Sequence, residues 1–207
     1  MPPLEKYPAG YPKWMRWLSF AWFAVWFPTY WRTWGGANFA HLCDVAVILT
    51  CIGMWTNNGL LISSQAVGAL LIDAAWALDA FWILVLHHPL IGGNEYLLDD
   101  HYAVWIRLLT LFHLVMPGLL LWGVYRLGYD RWGWLLQCAI ALPVLIAARF
   151  TPLVKNIDFA FSDPFFHRAW GPAPTHILVV WLFMALVVYL PTHLVLRRIS
   201  RSPDEQP

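Results

Sequence analysis

His41, Cys43 and Asp44 fall within four positions of one another at the start of an apolar run, and His113 stands four residues before Pro117 in a later one. Imidazole, thiol and carboxylate are the side chains of nucleophilic and general acid–base catalysis. On a helix His41 and Asp44 share a face, while Cys43 points ~200° away from His41. His41 and Cys43 are therefore not a ready-made nucleophile–base pair, and the base open to Cys43 is His113 from another helix. Histidine titrates near neutral pH. Pro117 frees the carbonyl of His113, so a bend beside this imidazole can widen a cavity and orient the ring. The structural alternatives are an inter-helix polar contact for His113 and a small inert hydrophobe at Cys43.

Residues 33–106 carry no Lys or Arg but hold Asp44, Asp73, Asp79, Glu95, Asp99 and Asp100; Arg107 is the first cation after them. A charge near the middle of a membrane helix costs ~2.5–3.5 kcal/mol on insertion scales. These acids need a common reason, and an Asp44/Asp79–Arg107 cluster in a polar pocket is the expectation. It could be a clamp between helices, a substrate pocket with Asp79 and Arg107 as binding residues, or an interface with another subunit. Asn156 and Asp158, in the run Lys155–Phe161, could bind a lipid headgroup, orient a histidine or cap a loop helix. His87, His88, Asp99, Asp100 and His101 match no metal-binding spacing, so no metal is expected. His113 has no histidine at its own depth to share a haem. Dinucleotide, P-loop and GxSxG patterns are missing, and the cofactor is left unknown.

These groups need elements to position them, and composition says which. The 207 residues are 60% hydrophobic and 12% charged, with net charge +1. A soluble domain averages ~45–50% and ~25%. That excludes a disordered chain, and a nucleic-acid binder would need a basic stripe. Three cysteines without a CxxC argue against a disulfide framework or zinc ribbon. The fold class expected is all-α, a polytopic transmembrane helical bundle. Its five long spans are Ala37–Trp55, Leu60–Leu86, Ala103–Tyr125, Trp132–Phe150 and Thr175–Leu196. Trp17–Trp31 is a short Trp-rich segment interrupted by Pro28, either an interfacial helix or a sixth, tilted span. The domains read as 1–36 for that N-terminal segment, 37–199 for the bundle and 200–207 for a flexible tail. Short turns join the helices at one end, side B. The long connections His87–Tyr102 and Thr151–Pro174 lie at the other, side A, and the aromatic second one should fold over its mouth. Most of the polar groups fall at side A by depth.

Three motifs in order bear on family: Leu42-Cys43-Asp44-Val45-Ala46 early in a span, His113 followed by Pro117, and Lys155-Asn156-Ile157-Asp158-Phe159 after the next span. The pattern resembles the YwaF-like family of integral membrane proteins, some of which are phospholipid acyltransferases. The resemblance covers about 15 residues. Ile157 and Asp158 depart from the family's Asn-Tyr element. It implies six or more spans, with Cys43 as the acyl-carrying nucleophile and His113 as its base.

Three readings follow. One is a lipid-modifying enzyme, by acyl transfer or hydrolysis, with Cys43, His113 and Asp44 catalytic. Another is a non-catalytic scaffold or accessory subunit of a membrane complex. The third is a small transporter, in which Asp73 and Asp79 face a water-filled path. The partners expected are membrane lipid and, in the accessory-subunit reading, other membrane subunits, and the place is a bacterial inner membrane. With six spans, side B collects Lys6, Lys13, Arg16, Arg126, Arg131, Arg197, Arg198 and Arg201, against Arg32, Arg149, Lys155 and Arg168 on side A. The positive-inside rule then puts side B in the cytoplasm and the pocket outside; with five spans the count decides little.

Overall fold

The computed structural model describes residues 10–200. Lys6 and Arg201 of the charge count, and the expected tail beyond Ser200, lie outside the described residues. Six long helices follow in order: α1 (Lys13–Trp34), α2 (Leu42–Thr56), α3 (Gly59–Leu86), α4 (Val104–Leu127), α5 (Gly133–Ala148) and α6 (Ala173–Ile199). No strand occurs among the described residues. Among the described residues three helices, α3, α4 and α6, are long and apolar enough to cross a membrane, while α2 and α5 are shorter apolar helices.

The boundaries differ from the sequence expectation in instructive places. The first long span is not one helix. A short 3-10 turn, Gly36–Ala40, precedes α2, and His41 between them is extended. The Trp-rich segment, expected to be 15 residues long, forms a 22-residue helix. Pro28 sits inside it, because only one backbone bond and one tight contact are lost and the flanking turns are packed. Trp26 is 0% exposed and Tyr30 is buried against the bundle, whereas Trp14 and Leu18 nearer the start of the helix remain exposed. α4 tightens to 3-10 geometry at Leu109–Leu111, one turn before the expected bend. α6 widens to π geometry at Met184–Tyr189, just before Pro191, which cannot donate to the preceding turn.

α3 is the central helix, packed along α2, α4 and α5 and touching α6. At side B, Asn57 in the left-handed region closes α2 and the Asn58 side chain accepts from the Leu61 N–H to start α3. α5 begins hard against α3: a Cβ on Gly133 would stand 2.9 Å from the Ser64 nitrogen, so glycine permits this approach. The main apolar core runs through Trp26, Met54, Ile62, Phe112, Leu120 and Tyr189. A second, smaller core of Leu145, Ala148, Ile157, Ala160 and Ile177 lies at side A, under the 149–172 connection. The outer helix faces are apolar, with Leu78, Phe81, Leu114, Leu178 and Leu186 all exposed. That is the surface a bilayer would cover.

Candidate functional site

Both long connections fold over the side A end and meet at Trp34, the last residue of α1. Its ring touches Tyr96 and Tyr102 of the first connection, and its carbonyl accepts from Lys155 Nζ of the second at 2.8 Å. Both connections thus pack against the side A end of α1, and the sequence-selected residues near this end fall into two groups.

Asp158 leads the first group. Its Oδ2 accepts from the Leu42 N–H at 2.8 Å, capping α2, and its Oδ1 lies 3.6 Å from His41 Nδ1. The free N–H groups at a helix start favour such a carboxylate. Asp158 thus both caps a helix and stands beside a histidine. Asp44, on the first turn of α2, accepts from Asn38 Nδ2 at 2.6 Å. Asn156 serves its own loop: Oδ1 accepts from the Phe161 and Ser162 N–H groups, and Nδ2 donates to Ser162 O. With both ends of its amide bonded within the loop, Asn156 organises this connection. Asn156, Asp158 and Phe159 all adopt positive φ, so this bend is strained for non-glycine residues. His176 on α6 holds it from below, accepting from the Trp170 N–H and donating Nε2–H to Phe159 O at 2.9 Å.

Asp79 and Arg107 make up the second group, and they do not pair. Asp79 Oδ1 accepts from the N–H groups of Leu90 (2.8 Å), Ile91 (2.6 Å) and Gly92, while Oδ2 accepts from Asn94 Nδ2 (2.8 Å). After His87 the chain doubles back along α3, and its free N–H groups satisfy the carboxylate before any side chain from α4 reaches it. Arg107 Nη1 donates to Leu97 O at 2.8 Å, Nη2 lies 3.6 Å from Asp100 Oδ1, and the buried Nε has no partner. The Asp44/Asp79–Arg107 cluster is therefore not formed, because each member is taken by backbone or a closer side chain. Asp79, enclosed by this loop, also does not line an open path.

His113 is buried between Trp76 (rings 4.4 Å apart, 8° from parallel) and Phe112 (4.0 Å). Its Nδ1 lies 2.8 Å from Thr110 O, so Nδ1–H donates there and Nε2 keeps its lone pair. Among the described residues no hydrogen bond joins Cys43 to His113. Cys43 is half-buried, one residue before Asp44 on the first turn of α2. Asp73, on α3, is buried and neither carboxyl oxygen has a hydrogen-bond partner among the described residues. Those residues also hold no cluster of three or more metal-ligating side chains.

Reading by type and spacing missed His41 as the partner of Asp158, Asn94 as that of Asp79, and His176 as the strut under the second connection. These pairs join a helix to a loop at no fixed spacing, from 15 residues for Asn94 and Asp79 upward, so spacing carried no signal. Compared with family models, with curated proteins and with solved structures, the chain finds no match.

Proposed function

We propose that the protein is an integral membrane enzyme that modifies a membrane lipid, by hydrolysis or acyl transfer, at the side A end, with His41 as general base. In this reading all six helices cross the bilayer, α1 included. Its 22 residues reach ~33 Å at 1.5 Å per residue, and Trp26 is fully buried in the bundle. An even number of crossings puts the basic side B in the cytoplasm of a bacterial inner membrane, by the positive-inside rule.

The observation that carries the reading is the His41–Asp158 pair, 3.6 Å apart where the second connection meets the start of α2. A carboxylate beside one ring nitrogen orients an imidazole and stabilises the imidazolium formed when the other nitrogen takes a proton. The base would take the proton of a water or hydroxyl as it attacks an ester carbonyl, and the imidazolium would return that proton to the departing alcohol as the acyl C–O bond breaks. His113, held in one tautomer, is the second candidate base. The test is turnover of phospholipid with labelled acyl chains by the full-length protein in vesicles. Wild type should release or transfer the label. His41→Gln should lower the rate by about 10²–10⁴-fold, the contribution of general base catalysis, and Cys43→Ala should leave it unchanged. No turnover of any phospholipid class, or full activity in both His41→Gln and His113→Gln, would sink the enzyme reading.

A second reading is the accessory subunit. It is favoured by Phe150, Leu153, Val154 and Phe165, which project from the second connection into open space. Stable co-purification of a membrane partner, lost on Val154→Asp, is its expected outcome.

A further inference from the structure

An apolar cleft of about 540 Å³ lies between α3 and α4, with Trp76 and Ala80 at its back and Phe81, Val104 and Leu114 exposed at its rim. It opens sideways onto the apolar outer face, where a lipid chain can enter without crossing water. Leu97 from the first connection closes its side A end, and Arg107 is the single charged residue in its lining.

We propose that this cleft binds one acyl chain of a zwitterionic phospholipid, with the phosphate on Arg107 and the ammonium on Asp100. The site goes beyond the catalytic reading and does not rest on it.

Size and polarity set the chain. Pockets of ~300–1,000 Å³ hold one compact ligand, and two helices side by side leave a single file between them, so the second chain stays in the bilayer. The charges set the head. The Arg107 side chain is 16% exposed, and the carboxylate that pairs with it, Asp100, is 97% exposed at 3.6 Å. Its Nε is buried and unpartnered. A guanidinium has five N–H donors and binds phosphate oxygens in pairs, so donor capacity is left over for a phosphate. The connection above carries Glu95, Asp99 and Asp100 and no Lys or Arg. A headgroup with net negative charge would meet three carboxylates there. Glu95 is occupied by the Gly93 N–H and Asp99 by His101, which leaves Asp100 facing outward next to Arg107. A cation beside an exposed carboxylate matches a phosphate followed by an ammonium.

The test is native mass spectrometry of the full-length protein in detergent, titrated with phosphatidylethanolamine and, separately, phosphatidylglycerol. Wild type should retain phosphatidylethanolamine in preference. Asp100→Asn should erase the preference, and as a fully exposed position it does not threaten folding. Arg107→Gln should weaken both lipids by about tenfold, the loss of one charge-assisted hydrogen bond. Ala77→Phe, which fills the cleft, should reduce retention of both. Phosphatidylglycerol binding as tightly as phosphatidylethanolamine to wild type, or retention unchanged by Ala77→Phe, overturns the proposal. Binding is read without turnover, so an inactive protein that still retains phosphatidylethanolamine would fail the catalytic reading and uphold this one.

Discussion

The two side A connections are fastened in opposite ways. The first, between α3 and α4, is gripped from outside. Asp79 reaches up from α3 and collects three backbone N–H groups and the Asn94 amide. The second, between α5 and α6, first builds its own structure. Asn156 and Asp163 turn back on neighbouring N–H groups, and the segment then reaches out through Asp158 to α2 and Lys155 to α1. A buried carboxylate with several N–H donors can shape a short loop alone. A longer one needs internal turns and an apolar core of its own, here Ile157 and Ala160. The externally gripped loop should fail at one residue, the self-built one by degrees.

Asp79→Ala should have the largest effect. It strands three N–H groups and Asn94, and at charge-assisted strength the loss is roughly 3 kcal/mol. Amide exchange across 88–97 should accelerate while 150–170 stays protected. If both connections loosen equally, they are not separate units.

His176→Ala ranks next. It removes two hydrogen bonds from a fully buried ring under the second connection, at about 2 kcal/mol. Proteolytic nicking should appear between α5 and α6 and nowhere between α3 and α4.

Asp158→Ala should cost about 1 kcal/mol, the value of a helix N-cap, while Asp158→Asn keeps most of it because the amide oxygen still accepts from Leu42. Thermal unfolding of the two variants separates capping from charge. A full loss in Asp158→Asn would mean that the His41 contact dominates.

Acid should act on the second connection late. Partial burial raises the Asp163 carboxyl, but the N–H groups of Phe166, Phe165 and Arg168 and the Arg168 charge bring it below the ordinary range. A carboxylate held low in the folded state adds stability above its unfolded pKa of ~3.9, which is lost as pH falls through the lower folded value. The 163–168 turn should therefore stay protected at pH 5, and exchange at Phe166 should rise only in stronger acid. His101→Ala is the smallest case. Its N–H and then its ring hold the exposed Asp99 carboxyl down, and a solvent-screened pair of this kind should leave unfolding unchanged within error.

The helical class, five of the six helices to within a few residues, and the gathering of polar groups at one end were legible in the chain. Length and hydropathy carry that information locally. The reach of α1 was not, because Pro28 and the flanking arginines argue for a short segment, and only Trp26 packed into the core reveals its role. Asp79–Arg107 was the clearest misreading. Span positions put both toward side A, but height on two helices does not say which way each side chain turns or what the returning loop brings first.

The sequence by itself determined an all-helical, lipid-compatible exterior and the side on which acids and histidines collect, since hydrophobic period and span length are properties of neighbouring residues. Tertiary structure decided the partners: Asp158 with Leu42 and His41, Asp79 with Leu90 and Ile91, Arg107 with Leu97. A buried charge takes the nearest available donor or acceptor, and nearness, whether across ten residues of loop or more than a hundred of chain, is set only once the chain has folded.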